Sequence, residues 1–204
     1  MSFFLGGITR SHRIDLASEA EIQAVAAEIR KAHPQIHALI NNAGLAYGEI
    51  STGFLDLTQE TWLKFLAINT IAPLLLAREL RPCLAAAKGC VVNQSSMAAN
   101  VPGTAYGVTK AALNSMTFGM AHAFGADGIR VNAIEPGIME TPASKAGVSE
   151  QNYAYIQGMQ ALKLHGTAED IANLALFLAS DEARFITCEI IACDAGNRMR
   201  GWRY

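Results

Sequence analysis

The chain has 204 residues, 51% hydrophobic and 17% charged, enough for one well-filled core and short for two domains. A net charge of −2 and a pI near 6.2 provide no basic face for nucleic acid. The longest apolar runs fall well short of a membrane span, and the opening MSFFLGGITR lacks the charged start and long apolar centre of a signal peptide. A cytoplasmic protein with no membrane partner is expected.

Regular patterning begins at Ser18. Ser18 with Glu21 makes a capping box, Ile22, Val25, Ala26 and Ile29 form a stripe, and Pro34 lies just beyond, which predicts a surface helix packed on a sheet. IHALIN, 36–41, is a short continuous apolar run of the kind parallel strands show when helices cover both faces, and Asn41-Asn42-Ala43-Gly44 turns the chain at its end. Thr58 caps a helix that carries Trp62, Phe65, Leu66 and Ile68 inward and delivers Asn69 to an apolar interior, where an amide needs partners. Pro73 opens a further helix to Lys88, with Pro82 as a point of bending.

GCVVN, 89–93, predicts the next parallel strand, and Gln94-Ser95-Ser96 stands at its carboxyl end, where open α/β sheets place ligands. After Pro102-Gly103, Thr104 starts a helix with apolar spacing through Val108, Ala112 and Met116. Gly125 to Gly128 ends it, and IRVNAI is another buried strand. Residues 142–165 read as irregular, with Tyr153, Tyr155, Ile156 and Met159 packing on the core. Thr167 precedes a last amphipathic helix through Ile171, Leu174 and Phe177, and EIIAC supplies the final strand. The basic aromatic tail NRMRGWRY reads as a subunit contact or a loose terminus.

Cys83, Cys90, Cys188 and Cys193 have no C-x-x-C spacing and read as buried thiols, the last two facing opposite sides of a strand. The five histidines form no H-x-x-x-H pair, so no metal site is expected. Tyr106 and Lys110 are different: four residues apart, they share one helix face. A tyrosine with the ordinary pKa of roughly 10 is only about a tenth of a per cent ionised at pH 7. A lysine about 5 Å away, at an effective dielectric of 20, contributes up to roughly 3 kcal/mol towards phenolate, enough to make Tyr106 a proton carrier near neutrality. The bare Y-x-x-x-K pattern is by itself most often an exposed lysine and a half-buried tyrosine.

Its company gives the pattern meaning. NNAG at 41–44, Asn69 in AINTIAP, Ser95-Ser96 after GCVVNQ, Tyr106 with Lys110, and RVNAIEPG at 130–137 stand in an order and at intervals that resemble the short-chain dehydrogenase/reductase family, from about Arg13 to Gly196. The resemblance implies one Rossmann-like domain over 1–204, a three-layer α/β/α fold with a mostly parallel sheet and helices on both faces. It implies an oxidoreductase that moves hydride between NAD or NADP and a small carbonyl or alcohol. Ser96 would hold the substrate oxygen, with Ser95 as the alternative, Tyr106 would exchange the proton, Lys110 would lower its pKa and contact ribose, and Asn69 would hold a water in the relay. Asp15, Asn42, Ala43, Gly44, Pro136, Gly137, Ile138 and Thr141 would border the cofactor, and residues 139–165 would form a substrate lid. A homodimer or homotetramer would pair through the helices at 73–84 and 104–124.

The chain departs from the family at several places. The opening T-G-x-x-x-G-x-G motif is absent, and about one β-α-β unit, a module of roughly thirty residues, is missing or degenerate. Residues 1–12 offer only Gly6-Gly7, read as a remnant or a flexible tail, and HRIDLAS matches the family's third strand. His37 stands where relatives often carry aspartate, Asp194-Ala195-Gly196 replaces a double glycine, and Glu135 puts a carboxylate beside the pocket or into solvent. Losing a helix N-terminus for the diphosphate weakens the nucleotide site. That leaves two alternatives: a cofactor-independent proton transfer, elimination, isomerisation or aldol-type reaction at the same residues, or a catalytically silent partner subunit.

Overall fold

Ser18 begins the first helix, α1 (Glu19–Ala32), its Oγ accepting from the Glu21 amide at 3.3 Å. The expected capping box is only half formed. The Ser18 N–H already donates to the Asp15 carbonyl at 3.0 Å, so the Glu21 carboxylate turns instead to the Asp15 N–H at 2.8 Å. The computed structural model describes residues 10–46, 53–100 and 102–197; Gly6-Gly7 and the tail from 198 onwards lie outside these.

Four strands follow, β1 (Ala38–Asn41), β2 (Cys90–Gln94), β3 (Arg130–Pro136) and β4 (Ile190–Cys193), all parallel and ordered as they occur in the chain. Between them run α2 (Gln59–Leu66), a π-helical turn (Ala67–Ile71), α3 (Ala72–Ala87), a 3-10 turn (Met97–Asn100), α4 (Ala105–Phe124), α5 (Pro142–Gly147), α6 (Glu150–Gly158) and α7 (Ala168–Ala179). Residues 12–18, expected as a strand and turn, form no strand, because among the described residues no neighbouring strand supplies a hydrogen-bonded ladder. Residues 142–165 are more regular than expected. Thr141 and Ser144 form a full capping box ahead of α5, and Ser149 caps α6.

Alternation along the strands separates two cores. Val91 and Val131 join Leu80, Leu84, Met120 and Phe124 on the side of α1, α3 and α4. Cys90, Val92 and Ile134 meet Leu178 on the other face, under α7. Burying each Val, Leu, Ile, Met or Phe side chain among these contributes about 1.5–3 kcal/mol relative to exposure. The result is the three-layer α/β/α arrangement with a parallel sheet. β2 to β3 and β3 to β4 step the same way across the sheet while α4 and α7 lie on opposite faces, so the two crossovers have opposite hands; one of them breaks the usual right-handed rule.

Two expectations about burial fail. β1 reads as a strand covered on both faces, yet it is an edge strand among the described residues and Ile40 is 44% exposed. Cys83 and Cys90 are buried, but Cys188 is exposed and precedes β4, and Cys193 is only partly buried. Cys188 has φ +65°, a turn conformation that takes it out of the strand alternation.

Candidate active site

Four segments meet at the carboxyl end of the sheet: residues 42–45 after β1, 94–96 after β2, the first turns of α4, and 136–141 after β3. Together with α5, α6 and the inner face of α7 at Ile171, Ala172 and Ala175, they line a cavity of about 1180 Å³. Ser96, Tyr106 and Lys110 border it together, as do Asn42, Gly44, Pro136, Gly137, Ile138 and Thr141. Ala43 and Asn69 are not among its walls. Asp15 is not brought there either: it is exposed ahead of α1, with its Oδ1 accepting from the Ala17 N–H at 2.9 Å, so it builds a turn.

Thr104 caps α4 by accepting from the Gly107 N–H, which places Tyr106 and Lys110 in its first two turns, facing the cavity. Lys110 is 5% exposed; its Nζ donates to the Gln94 carbonyl at 2.6 Å and stands 5.8 Å from the centre of the Tyr106 ring. Burial pushes the Lys110 ammonium down to about 8. It therefore remains mostly cationic at pH 7.

Of the two serines, Ser95 is 2% exposed, with its Oγ donating to the Lys110 carbonyl at 3.4 Å. Ser96 is half-buried, and its Oγ accepts from the Ala98 N–H at 3.1 Å. That bond caps the 3-10 turn and leaves the Ser96 O–H able to donate.

Asn69 sits in the π-helical turn at 1% exposure. Its Oδ1 accepts from the Leu45 N–H at 2.8 Å, and its Nδ2 donates to the Leu45 carbonyl at 2.9 Å and to Thr109 Oγ1 at 3.0 Å. The extra residue of a π turn is what lets a helical side chain reach a neighbouring loop in this way. A Cβ on Gly44 would lie 3.0 Å from Asn69 Oδ1 and 3.6 Å from Lys110 Nζ, so the loop approaches this closely because position 44 has no side chain. Thr109, which donates to the Tyr106 carbonyl at 2.8 Å, is a member of the network that the motif reading passed over. A threonine in a helix interior, with its tendency to bond the backbone, was the available signal.

Glu135 is neither in the pocket wall nor in solvent. It is 2% exposed, and its two carboxylate oxygens accept from Asn100 and Asn114 at 2.8 and 2.7 Å. No described helix is long and apolar enough to cross a membrane, and no group of three metal-ligating side chains occurs among the described residues.

A parallel sheet with a tyrosine and lysine one helical turn apart at its carboxyl edge defines a class, and comparison with known proteins agrees. The family model described as Enoyl-(Acyl carrier protein) reductase matches residues 6–198, and the chain belongs to the short-chain dehydrogenase/reductase family of oxidoreductases. It is 34% identical over 197 residues to Protein FixR of Bradyrhizobium diazoefficiens, covering 92% of this chain and 69% of that protein. A solved short-chain type dehydrogenase/reductase from Mycobacterium ulcerans superposes with a TM-score of 0.85 at 29% identity, over 96% of this chain and 72% of that one. The 4-hydroxyisoleucine dehydrogenase complexed with NADH gives a TM-score of 0.79 at 32% identity, over 92% of this chain and 80% of that one.

Proposed function

We propose that the chain is a nicotinamide-dependent dehydrogenase or reductase of a small alcohol or carbonyl, working through Ser96, Tyr106 and Lys110. The observation that carries this reading is the buried Lys110 ammonium beside the Tyr106 ring, both bordering one cavity at the carboxyl end of the sheet. NADH in the structure of 4-hydroxyisoleucine dehydrogenase supports the choice of cofactor class.

The residues present fit the nicotinamide end of NAD or NADP. The cavity combines the Lys110 ammonium, the Thr141 hydroxyl, the open backbone at Gly44 and the apolar Ile138, a donor and apolar set suited to a ribose and a flat ring. Asn42, Gly44, Pro136, Gly137, Ile138, Thr141 and Lys110 would hold it, with Ala43 shaping the turn between the first two. A bound nicotinamide supplies the hydride acceptor for an alcohol or the hydride donor for a carbonyl.

This chain's residues handle the proton. The Ser96 O–H donates to the substrate oxygen and fixes its position. Tyr106 Oη takes the proton of an alcohol or gives one to a carbonyl oxygen, and the Lys110 cation favours the phenolate form between transfers. Asn69 acts through Leu45 and Thr109, keeping the 44–45 loop and α4 at a fixed spacing. Residues 139–165, with α5 and α6, form the lid over the substrate.

Subunits pair through α3 and α4, where Ile71 just ahead of α3 and Phe118 on α4 are 43% and 45% exposed, and sedimentation velocity at micromolar concentration should give a dimer or tetramer. The test of function is a titration with NADH and NADPH followed by cofactor fluorescence. Saturable binding of either is expected. Absence of binding, with turnover retained on a substrate that needs only proton transfer, would move the site to the cofactor-independent class.

A further inference from the structure

Glu135 is a buried carboxylate that the proposed chemistry leaves unused. It lies on β3 in step with Val131 and Ala133, so it faces α4, and it is 2% exposed. Burying a carboxylate is costly unless both oxygens are satisfied. Here Oε2 accepts from Asn100 Nδ2 at 2.8 Å and Oε1 accepts from Asn114 Nδ2 at 2.7 Å. Among the described residues no ion pair neutralises it; its partners are two neutral amides.

Those amides sit at informative places. Asn100 ends the 3-10 turn that starts directly after Ser96. Asn114 is four residues beyond Lys110 and eight beyond Tyr106, on the same stripe of α4. One carboxylate therefore ties the segment carrying the serine to the helix carrying the tyrosine and lysine. It does so from β3, which is fixed to the same serine segment by the Ser95 N–H donating to the Ile134 carbonyl at 2.8 Å.

We infer that Glu135 is a positioning residue: by bridging Asn100 and Asn114 it sets the rotation of α4 and the spacing between Ser96 and the Tyr106–Lys110 pair. The inference rests on the role proposed above for Tyr106, and it makes the bridge, not the negative charge, the reason for a carboxylate at this position.

Geometry and charge separate cleanly in two variants. Glu135→Ala removes both links. Glu135→Gln keeps them, because its amide oxygen accepts from Asn100 and its amide nitrogen can donate to Asn114 Oδ1, which is buried and has no hydrogen-bond partner among the described residues, once the Asn114 amide turns over. The readout is the ionisation of Tyr106, followed by phenolate absorbance near 295 nm as a difference against the same protein carrying Tyr106→Phe. Removing a negative charge can only lower a phenol's pKa, whereas loosening Tyr106 from Lys110 raises it.

The expected result is an upward shift of about one unit in Glu135→Ala and none, or a downward one, in Glu135→Gln. An unshifted or lowered Glu135→Ala, or a Glu135→Gln raised as far as Glu135→Ala, overturns the inference. Should Glu135→Ala fail to fold, Asn100→Ala and Asn114→Ala each remove one link, and the absence of any upward shift in both overturns it equally. A wild-type Tyr106 that titrates as an ordinary tyrosine sinks the proposed function and this inference together. A depressed wild-type value that Glu135→Ala leaves in place sinks this inference alone.

Discussion

Asn69 holds Leu45 by both halves of its backbone, accepting from the N–H at 2.8 Å and donating to the carbonyl at 2.9 Å, as a neighbouring strand would. The side chain is 1% exposed, so water does not readily replace it. Asn69→Ala leaves the Leu45 groups and Thr109 Oγ1 short of partners, at about 1–3 kcal/mol for each buried group orphaned. Urea denaturation should show a midpoint well below wild type. An unchanged midpoint would mean that the 44–45 loop is held by something else.

Tyr106→Phe keeps the ring and removes only the hydroxyl. Turnover in an assay following NADH or NADPH absorbance should fall by about 10²–10⁴-fold, the usual range for losing a proton-transfer group. The circular dichroism spectrum should not change. A fully active variant would remove the tyrosine from the reaction.

Lys110 makes stability depend on pH in a defined direction. The unfolded chain keeps this proton to about pH 10.5 and the folded chain only to about 8, so the unfolded state binds more protons in that window. Stability from this group is lowest below pH 8 and rises between 8 and 10.5, by up to about 3 kcal/mol. Lys110→Met removes the cost of burying the cation but takes a donor from the Gln94 carbonyl, which offsets about 1 kcal/mol. The variant should be inactive yet more stable than wild type at pH 7 by about 2 kcal/mol, and the gain should shrink by pH 9.5. A difference in urea midpoints that is the same at both pH values would contradict the assignment.

Gly107 is where α4 meets the loop after Ser96. A Cβ there would fall 2.8 Å from the Ala98 carbonyl oxygen and 2.9 Å from the Pro102 Cα, both backbone atoms that cannot rotate away. Gly107→Ala should cost about 1–3 kcal/mol by overpacking. It should also lower turnover, because the helix has to move off the loop one residue from Tyr106. Stability equal to wild type would show that the contact yields easily.

The parallel sheet and its helices were legible because each strand is a short apolar run and nearly every helix has a Ser or Thr at its start; Ser18, Thr58, Thr104 and Thr167 all cap as expected. Ser96, Tyr106, Lys110 and the wall at Asn42, Gly44 and 136–141 were legible from motif order, whereas Asp15, Ala43 and Asn69 do not line the cavity and the wall from α7 carries no motif. The helices at 142–158 were not, since their apolar spacing is weak and only the caps at Thr141 and Ser149 mark them. The π turn at Asn69 was hidden as well, because a one-residue bulge leaves the apolar period of the flanking helices almost intact. Whether Glu135 faced pocket or solvent depended on partners 35 and 21 residues away in sequence, which no local pattern reports.

On the sheet face under α4, Asn41 Nδ2 donates to Asn93 Oδ1 at 2.8 Å across directly paired positions of β1 and β2, and Asn93 Nδ2 donates on to Thr117 Oγ1 of α4 at 2.9 Å. Apolar side chains would tolerate these strands sliding past one another, but a row of amides does not: a slip of one residue would strand polar groups in a dry interior. The row works as an alignment key. It holds the tips of two strands level, and with them the opposing rims from which any bound molecule must be gripped.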